Sequence, residues 1–202
     1  MSTLATDAAE RLRQITARAE SLYDDLDLKT VKAWKEQGKN RKAIGFLPIY
    51  VPREVIHAAG ALPVGIMGGA DRIEIVRGDS YFQSYICHFP RSVIELAVSG
   101  RLDACDGFLF PSICDVVRNL SGMFKMLFEN KWTHYLDLPQ NFDNRLGGRF
   151  YKNEMRVIAR EVGKLTGVEV TDSRLRDSIT TFNENRAAMR RLVHARRDRP
   201  WE

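Results

Sequence analysis

The hydrophobic and polar positions of the chain follow two different patterns, and these patterns predict its strands and helices. Four short stretches are rich in apolar or β-branched residues, and several are apolar throughout, as in strands buried on both faces of a parallel sheet. Helical spacing of apolar residues occupies the segments between them. The chain is therefore predicted to be an α/β protein with a parallel sheet flanked by helices, a Rossmann-like lobe with helical N-terminal and C-terminal segments. The predicted strands are 43–47, 62–67, 107–110 and 133–138.

Proline, glycine and capping residues mark where the predicted helices begin and end. Pro52 and Pro90 each stand in a first turn, and Gly60 and Gly100 end those two helices. Residues 70–84 show no clear pattern, and 168–170 is predicted to be a short extended piece. The predicted helices cover about 6–37, 52–60, 88–100, 116–127 and 148–165, followed by a long helix that Thr171 and Asp172 cap and that runs through Arg197.

These elements divide the chain into three predicted parts. Residues 1–40 form an N-terminal helical segment, 41–170 form the α/β lobe, and 171–202 form a C-terminal helix. That helix ends in Pro-Trp-Glu, which is more typical of a connection to another element than of a finished tail. We therefore expect the natural chain to continue into a second lobe that this sequence lacks.

Composition and charge exclude several classes of function. The 202 residues are 44% hydrophobic and 28% charged, as in a soluble globular protein, and no apolar run reaches membrane-spanning length. The net charge of +5 is mild. Much of the arginine excess follows Arg145, on a helix face that is predicted to be exposed to solvent. The alternative is that these arginines bind an acyl-CoA phosphate or an acidic partner. Basic and aromatic residues do not interleave as in nucleic-acid-binding surfaces. We therefore expect neither a membrane nor a nucleic acid as a partner. We also expect a cytoplasmic protein, because the N-terminus lacks an apolar signal core.

The common nucleotide and nucleophile motifs are absent from the sequence. GxGxxG does not occur, so a dinucleotide fingerprint is rejected. Neither a GxxxxGK[ST] phosphate loop nor a GxSxG nucleophile elbow is present. The chain is therefore not expected to hydrolyse ATP itself.

Three cysteines, Cys87, Cys105 and Cys114, carry the most specific chemistry. An odd number of cysteines without a secretory signal favours thiol or metal chemistry over disulfides. The helix after Cys87 leads away from one edge of the sheet, and the strand 107–110 returns to that edge before Cys114. The crossover is predicted to bring Cys87 and Cys114 to the carboxyl edge, where open α/β sheets bind ligands, and to leave Cys105 at the opposite edge.

Both cysteines at the carboxyl edge precede a helix N-terminus, which favours the thiolate that a metal requires. We predict that Cys87 and Cys114 are metal ligands and form half of a cluster site, with Cys105 as a bystander. A [4Fe–4S] cluster normally takes four protein ligands, so further ligands must come from elsewhere. Buried structural cysteines and a zinc site are the alternatives, and the poor supply of histidine near the cysteines disfavours zinc.

A few other polar residues are candidates for roles near the same edge. Glu54 follows the carboxyl end of the first strand and is a candidate catalytic or substrate-contacting residue, with a favourable interaction with its helix dipole as the alternative. His57 is expected to pack or to hydrogen-bond, and His134 to be a satisfied core residue. Asp115 is expected to cap the helix that follows Cys114.

Three motifs in fixed order carry a resemblance to a known family. They are P-x-E-V-I-x-A-A-G-A-L-P-V (Pro52 to Val64), C-x-x-x-R-S (Cys87 to Ser92) and G-x-L-D-x-x-D-G-x-L-F-P-x-x-C-D (Gly100 to Asp115). In order and spacing the chain from Ala43 onward resembles the benzoyl-CoA reductase and 2-hydroxyacyl-CoA dehydratase family. Within that family, residues 117–140 look closest to a catalytic subunit of an ATP-dependent benzoyl-CoA reductase.

The resemblance implies a set of ligands and partners. Family subunits have two α/β lobes and hold an iron–sulfur cluster through three cysteines, two in the first lobe and one in the second. Cys87 and Cys114 match the two first-lobe positions and Cys105 matches none, so the third ligand of a [4Fe–4S] cluster is expected from the missing second lobe. The chain would be an oxidoreductase subunit that acts only within a complex, beside a homologous second catalytic subunit.

The resemblance also implies a reaction. An ATP-hydrolysing iron–sulfur activator would supply electrons of very low potential, and these would reduce the ring of an aromatic acyl-CoA to a cyclic dienoyl-CoA, as in the anaerobic degradation of aromatic compounds. Two other functions stay open. The chain could belong to a 2-hydroxyacyl-CoA dehydratase that uses the same cluster and a recycled electron. It could also be a non-catalytic subunit that relays electrons or completes an assembly.

Overall fold

The computed structural model describes residues 3–201. The first two residues of the predicted segment 1–40 and the last residue of the predicted segment 171–202 lie outside the described residues. The helices are α1 (Thr3–Tyr23), α2 (Lys29–Glu36), α3 (Arg53–Ala58), α4 (His88–Val98), α5 (Asp115–Leu127), α6 (Gly147–Thr166) and α7 (Asp172–Asp198). The strands are β1 (Lys42–Phe46), β2 (Ala61–Gly65), β3 (Gly107–Pro111) and β4 (Trp132–Leu136).

The chain divides into two compact units. The first unit extends to Lys39 and resumes from Met67 to Ala104, so it contains α1, α2 and α4 together with two single-turn 3-10 helices, Ala70–Arg72 and Gly78–Ser80. The second unit comprises Asn40–Ile66 and the chain from Cys105 onward, and it contains all four strands with α3, α5, α6 and α7.

The four strands of the second unit form one parallel sheet in the order β2-β1-β3-β4. Ile44 of β1 lies opposite Pro63 of β2 and opposite Gly107 of β3, and Leu109 of β3 lies opposite His134 of β4. This confirms the predicted α/β class. The chain proceeds from β1 to β2 on one side and returns to β3 on the other, so the strand order reverses between β1 and β3. Open sheets of this kind bind ligands at the carboxyl ends of the strands beside such a reversal.

Apolar side chains cover both faces of this sheet, which explains why its strands lack polar alternation. On one face, Phe108 and Phe110 meet Phe124 of α5 edge-on, with ring centroids 4.8 and 4.9 Å from that of Phe124. On the other face, α3 and α6 pack against β1, β3 and β4. The fully buried side chains there are Ile44, Ile56, Leu109, Leu136, Ile158 and Val162.

In the first unit, α4 organises the irregular segment that precedes it. The buried carboxylate of Glu95 accepts hydrogen bonds from the backbone N–H groups of Val76 (3.0 Å) and Gly78 (2.6 Å). Arg91 of α4 also forms an ion pair with Asp79. A buried carboxylate is costly unless its oxygens find donors, and the backbone of this segment supplies them.

One predicted helix differs from the observed structure. The single helix predicted over 6–37 is two helices, because the Asp25 carboxylate accepts from the backbone N–H groups of Lys29 and Thr30 and Leu28 adopts a left-handed conformation with φ 51°. Residues 168–170, predicted to be a short extended piece, lie outside any helix or strand. The predicted caps are confirmed: Gly100 has φ 79°, and Thr171 Oγ1 accepts from the Arg174 backbone N–H. None of the helices within residues 3–201 has the length and apolar character needed to cross a membrane.

Candidate functional site

The carboxyl edge of the sheet in the second unit is where three helices begin. α3, α5 and α6 follow the carboxyl ends of β1, β3 and β4, through loops 47–52, 112–114 and 137–146. Helix N-termini carry partial positive charge and unpaired N–H groups, so this edge favours anionic groups. It also includes the reversal of strand order between β1 and β3.

The loop after β1 is strained. Ile49 and Tyr50 have φ values of 79° and 61°, and both side chains are exposed. A β-branched residue in the left-handed region costs about 1–3 kcal/mol, and such strain is concentrated at functional sites. Exposed apolar side chains also occur in the loops after β3 and β4, at Ile113 and Phe142.

Cys114 is the N-cap residue of α5, and its thiol is exposed with no side-chain capping hydrogen bond. Cys105 precedes β3 and is only 1% exposed. Cys105 and Cys114 therefore lie at opposite ends of β3, the first at the amino end and the second at the carboxyl end. Asp115 is the first residue of α5 rather than its cap, so its expected capping role is wrong, and its charge instead stands in the first turn, where it favours the helix.

Cys87, in the first unit, has the same local setting as Cys114. It is the N-cap residue of α4, and its thiol is exposed with no capping hydrogen bond. Cysteine sulfur is the donor that holds iron–sulfur clusters, and both thiols are exposed, so the donor chemistry of both residues fits a cluster ligand. In the part of the chain that the structure describes, no group of three or more His, Cys, Asp or Glu side chains is arranged to hold a metal ion. Ligation by Cys87 and Cys114 remains a prediction.

Glu54 lies in the first turn of α3, as predicted, and its side chain is only 15% exposed. It forms an ion pair with Arg186 of α7. Its backbone carbonyl accepts a hydrogen bond from the Ser178 hydroxyl at 2.9 Å. The carboxylate therefore has a fixed position, and its catalytic role remains a prediction.

His57 makes a hydrogen bond, as expected. Its Nδ1 lies 2.9 Å from Ser178 Oγ, and because that hydroxyl donates to Glu54, the ring nitrogen is the donor here. The ring also meets Phe182 edge-on at 5.8 Å, and the guanidinium of Arg53 lies 5.2 Å from the centre of the same Phe182 ring. These contacts fasten α7 to α3 beside Glu54.

Tyr151 of α6 is a further titratable group of this region. Burial raises the pKa of its phenol, and the negative charge of Glu54 raises it further. Neither Tyr151 nor Arg186 was identified from the sequence. Arg186 is 132 positions from Glu54 and is one of several arginines along α7, so no local pattern distinguishes it.

His134 is only partly buried, and its Nε2 makes no hydrogen bond within the described residues, so the expectation of a satisfied core residue is wrong. It stacks on Trp132 with ring centroids 5.6 Å apart and is 17% exposed. Glu154 lies 3.5 Å from its Nε2 and Glu161 lies 3.5 Å from its Nδ1. Both carboxylates belong to α6, so these contacts hold α6 against the edge strand β4.

A comparison with protein families identifies the chain. The family model described as 2-hydroxyglutaryl-CoA dehydratase, D-component, matches residues 48–202. This chain belongs to that family. The matched range includes Glu54, Cys87 and Cys114 and the three helices that begin at the carboxyl edge of the sheet.

Several curated relatives of this chain are subunits of acyl-CoA enzymes. It is 50% identical to one of the subunits of the benzoyl-CoA reductase of Thauera aromatica over 93% of this chain and 49% of the relative. It is 34% identical to the beta subunit of (R)-2-hydroxyglutaryl-CoA dehydratase of Acidaminococcus fermentans over 83% of this chain and 44% of the relative. It is 30% identical to the beta subunit of lactoyl-CoA dehydratase of Anaerotignum propionicum over 94% of this chain and 47% of the relative. The chain thus spans about half the length of the curated relatives it matches.

Proposed function

We propose that this chain is the first, cluster-binding lobe of a benzoyl-CoA reductase subunit, which passes low-potential electrons to an aromatic acyl-CoA thioester in the cytoplasm. The observation that carries the proposal is the 50% identity to the benzoyl-CoA reductase subunit of Thauera aromatica, against 34% and 30% to the two dehydratase subunits over similar shares of the chain.

Cys87 and Cys114 would be the ligands that this chain supplies to a [4Fe–4S] cluster. When bound, such a cluster supplies single electrons at low potential. Both thiols lie exposed at the start of a helix, where they would be accessible to a cluster. We propose that the third protein ligand comes from a second lobe outside this sequence.

The partners follow from what this chain does not contain. Its sequence has no phosphate-binding loop, so a separate ATP-hydrolysing iron–sulfur protein would deliver the electrons. We propose a homologous second catalytic subunit and an acyl-CoA substrate as its other partners. The exposed Ile49, Ile113 and Phe142 at the carboxyl edge would suit an apolar, aromatic acyl group.

A 2-hydroxyacyl-CoA dehydratase subunit is the second candidate. It is favoured by the description of the matching family and by the two dehydratase relatives. Both candidates use the same cluster, so cluster binding does not separate them. The product formed from each substrate does, because ring reduction consumes external electrons whereas dehydration returns its electron.

The deciding experiment compares two substrates with the complete anaerobic complex, meaning the full-length subunit with its second subunit and activator. With ATP and a low-potential reductant, we expect benzoyl-CoA to be converted to a cyclic dienoyl-CoA while reductant is consumed stoichiometrically. Conversion of a 2-hydroxyacyl-CoA to an enoyl-CoA without any ring reduction would contradict the proposal in favour of the dehydratase. Neither activity in an iron-replete complex would indicate a non-catalytic subunit.

A further inference from the structure

A cleft in the second unit lies between the start of α3 and the second half of α7. Its volume of about 570 Å³ is within the range of small-molecule sites. We call it the α7 cleft, and the lining residues that matter here are Arg53, Arg186, Met189, Arg190, Val193 and His194. All of them except Arg53 recur at helical spacing along α7, so they share one face of that helix.

The α7 cleft adjoins the carboxyl edge of the sheet. Arg53 is the first residue of α3, and α3 follows β1 after the strained loop 47–52. Arg186 contributes to the cleft from α7 and forms its ion pair with Glu54, the next residue of α3. The cleft is therefore beside the edge at which the acyl-CoA chemistry is proposed.

Positive charge in the α7 cleft exceeds the negative charge that neutralises it. Arg186 is paired with Glu54. Arg53 and Arg190 form no ion pair with a carboxylate in the part of the chain that the structure describes. A cleft lined by one sign of charge concentrates counter-ions, because its walls focus the electric field. This charge favours a ligand that carries more than one negative charge.

Two guanidinium groups of the cleft are held in place by other side chains. Arg186 donates to Asn183 Oδ1 at 2.9 Å as well as to Glu54. The guanidinium of Arg53 lies 5.2 Å from the centre of the Phe182 ring, in the range of a cation–π contact. The planar fork of arginine matches phosphate oxygens, and a fork that is already fixed loses less entropy on binding. The α7 cleft is thus suited to phosphate groups.

An apolar wall lies beside these charges. Met189 and Val193 are one turn apart on α7 and are 52% and 57% exposed. A methionine side chain adapts its shape to a flat ring. The cleft therefore suits phosphates that are attached to an aromatic base better than free phosphate. An acidic protein would need about 800 Å² of surface on each partner, which is more than a small concave site offers.

We propose that the α7 cleft binds the phosphate-bearing adenosine end of the acyl-CoA substrate. Arg53 and Arg190 bind phosphate oxygens, and Met189 and Val193 pack against the adenine ring. This inference rests on the acyl-CoA chemistry proposed above and adds a site for the end of the substrate that is remote from the thioester.

Calorimetric titration of CoA into the full-length subunit tests the proposal. Arg190→Gln is the decisive variant, because Arg190 is exposed and its loss leaves no described carboxylate without a partner. We expect it to weaken CoA binding about ten- to a hundredfold, the range for a hydrogen bond to a charged group. Arg190→Lys should recover part of this loss, because it keeps the charge and lacks the planar fork.

Arg191→Gln is the matched control. It removes the adjacent arginine of α7, which is also exposed and does not line the cleft. We expect its CoA affinity to equal that of the wild type. Dephospho-CoA, which lacks one phosphate group, should bind to the wild type more weakly than CoA, and adenosine more weakly still.

Three outcomes would overturn the inference. They are equal CoA affinity in Arg190→Gln and Arg191→Gln, a wild-type subunit that does not bind CoA, and a loss of assembly with the second subunit in Arg190→Gln while CoA affinity is unchanged. The last outcome would assign the cleft to an acidic partner. None of them would overturn the proposed function, which is decided by the product formed from benzoyl-CoA.

Discussion

At the scale of single residues, Asp25 determines where one helix ends and the next begins. Its carboxylate accepts the backbone N–H groups of Lys29 at 2.8 Å and Thr30 at 2.7 Å, which would otherwise lack partners in the first turn of α2. Burial alone would raise the pKa of Asp25, but the hydrogen bonds from Thr30 and Lys29 outweigh it and hold the pKa below its ordinary value of 3.8. Folding is therefore stabilised by the ionised form of this carboxylate.

Removing this cap should destabilise the protein in a pH-dependent way. Asp25→Ala is expected to lower the free energy of unfolding by about 1 kcal/mol at neutral pH. Because the folded pKa lies below 3.8, the difference should be complete above that pH and should shrink as the pH falls through the folded pKa. Denaturant unfolding at a series of pH values measures it.

Asp177→Ala is the matched control, since it removes an exposed carboxylate from the second turn of α7. It should change stability by no more than about 0.5 kcal/mol. An Asp25→Ala effect that is equal to the control, or that grows on acidification, would contradict the capping role.

Only some residues of the candidate site could be predicted from the sequence. Glu54 could be placed at the carboxyl edge because it stands in the first turn of the helix that follows a predicted strand. Its partner Arg186 could not, because the contact joins two helices that are far apart in sequence and many arginines could have made it. Tyr151 was missed for the same reason, since its altered pKa arises from burial and from a charge on another helix.

At the scale of elements, α7 is attached to the second unit by polar contacts. Of its residues that the structure describes, Ser178 alone is buried. Its hydroxyl joins the Glu54 carbonyl and His57, and nearer the start of the helix Arg174 Nε donates to the Ala58 carbonyl at 2.9 Å. These hydrogen bonds satisfy carbonyls of the short helix α3, so α3 and α7 stabilise each other.

Ser178→Ala should weaken this attachment. It leaves the Glu54 carbonyl and His57 Nδ1 without their partner, which is expected to cost about 1–3 kcal/mol in the free energy of unfolding. Ser173→Ala, at an exposed position of the same helix, is the control and should be nearly neutral. Denaturant unfolding of both variants is the measurement, and equal stability of the two would refute the fastening role of Ser178.

The sheet was the most predictable element. Its strands are apolar because both faces of the sheet are covered. In the sequence they are short apolar runs with glycine or proline at their ends, so β1 and β3 were predicted to within a residue or two. The break at Asp25 was not predicted, because the residues around it keep a helical apolar spacing while one side chain captures the backbone donors. A side chain that competes with the helix backbone for N–H donors does not change the pattern of hydrophobic residues, so the pattern does not reveal it.

At the scale of the whole molecule, the two predicted cluster ligands begin helices that belong to different units. Cys87 begins α4 in the first unit, and Cys114 begins α5 in the second. Topology explains why Cys105 differs, since it enters β3 from the amino end and is buried. The sequence predicted this separation of Cys105 from Cys114. The family match includes part of the first unit, Met67–Ala104, with most of the second.

The proposed cluster is tested most directly by the iron content of cysteine variants. The full-length subunit is reconstituted anaerobically with iron and sulfide, and iron per chain is measured together with the cluster absorbance. Cys105→Ala is the matched control, because it removes a thiol that is buried at the opposite end of β3 and leaves no new polar group. We predict that Cys87→Ser and Cys114→Ser each lose iron and absorbance while Cys105→Ala retains both; equal retention by all three variants, or equal loss, would contradict cluster ligation by Cys87 and Cys114.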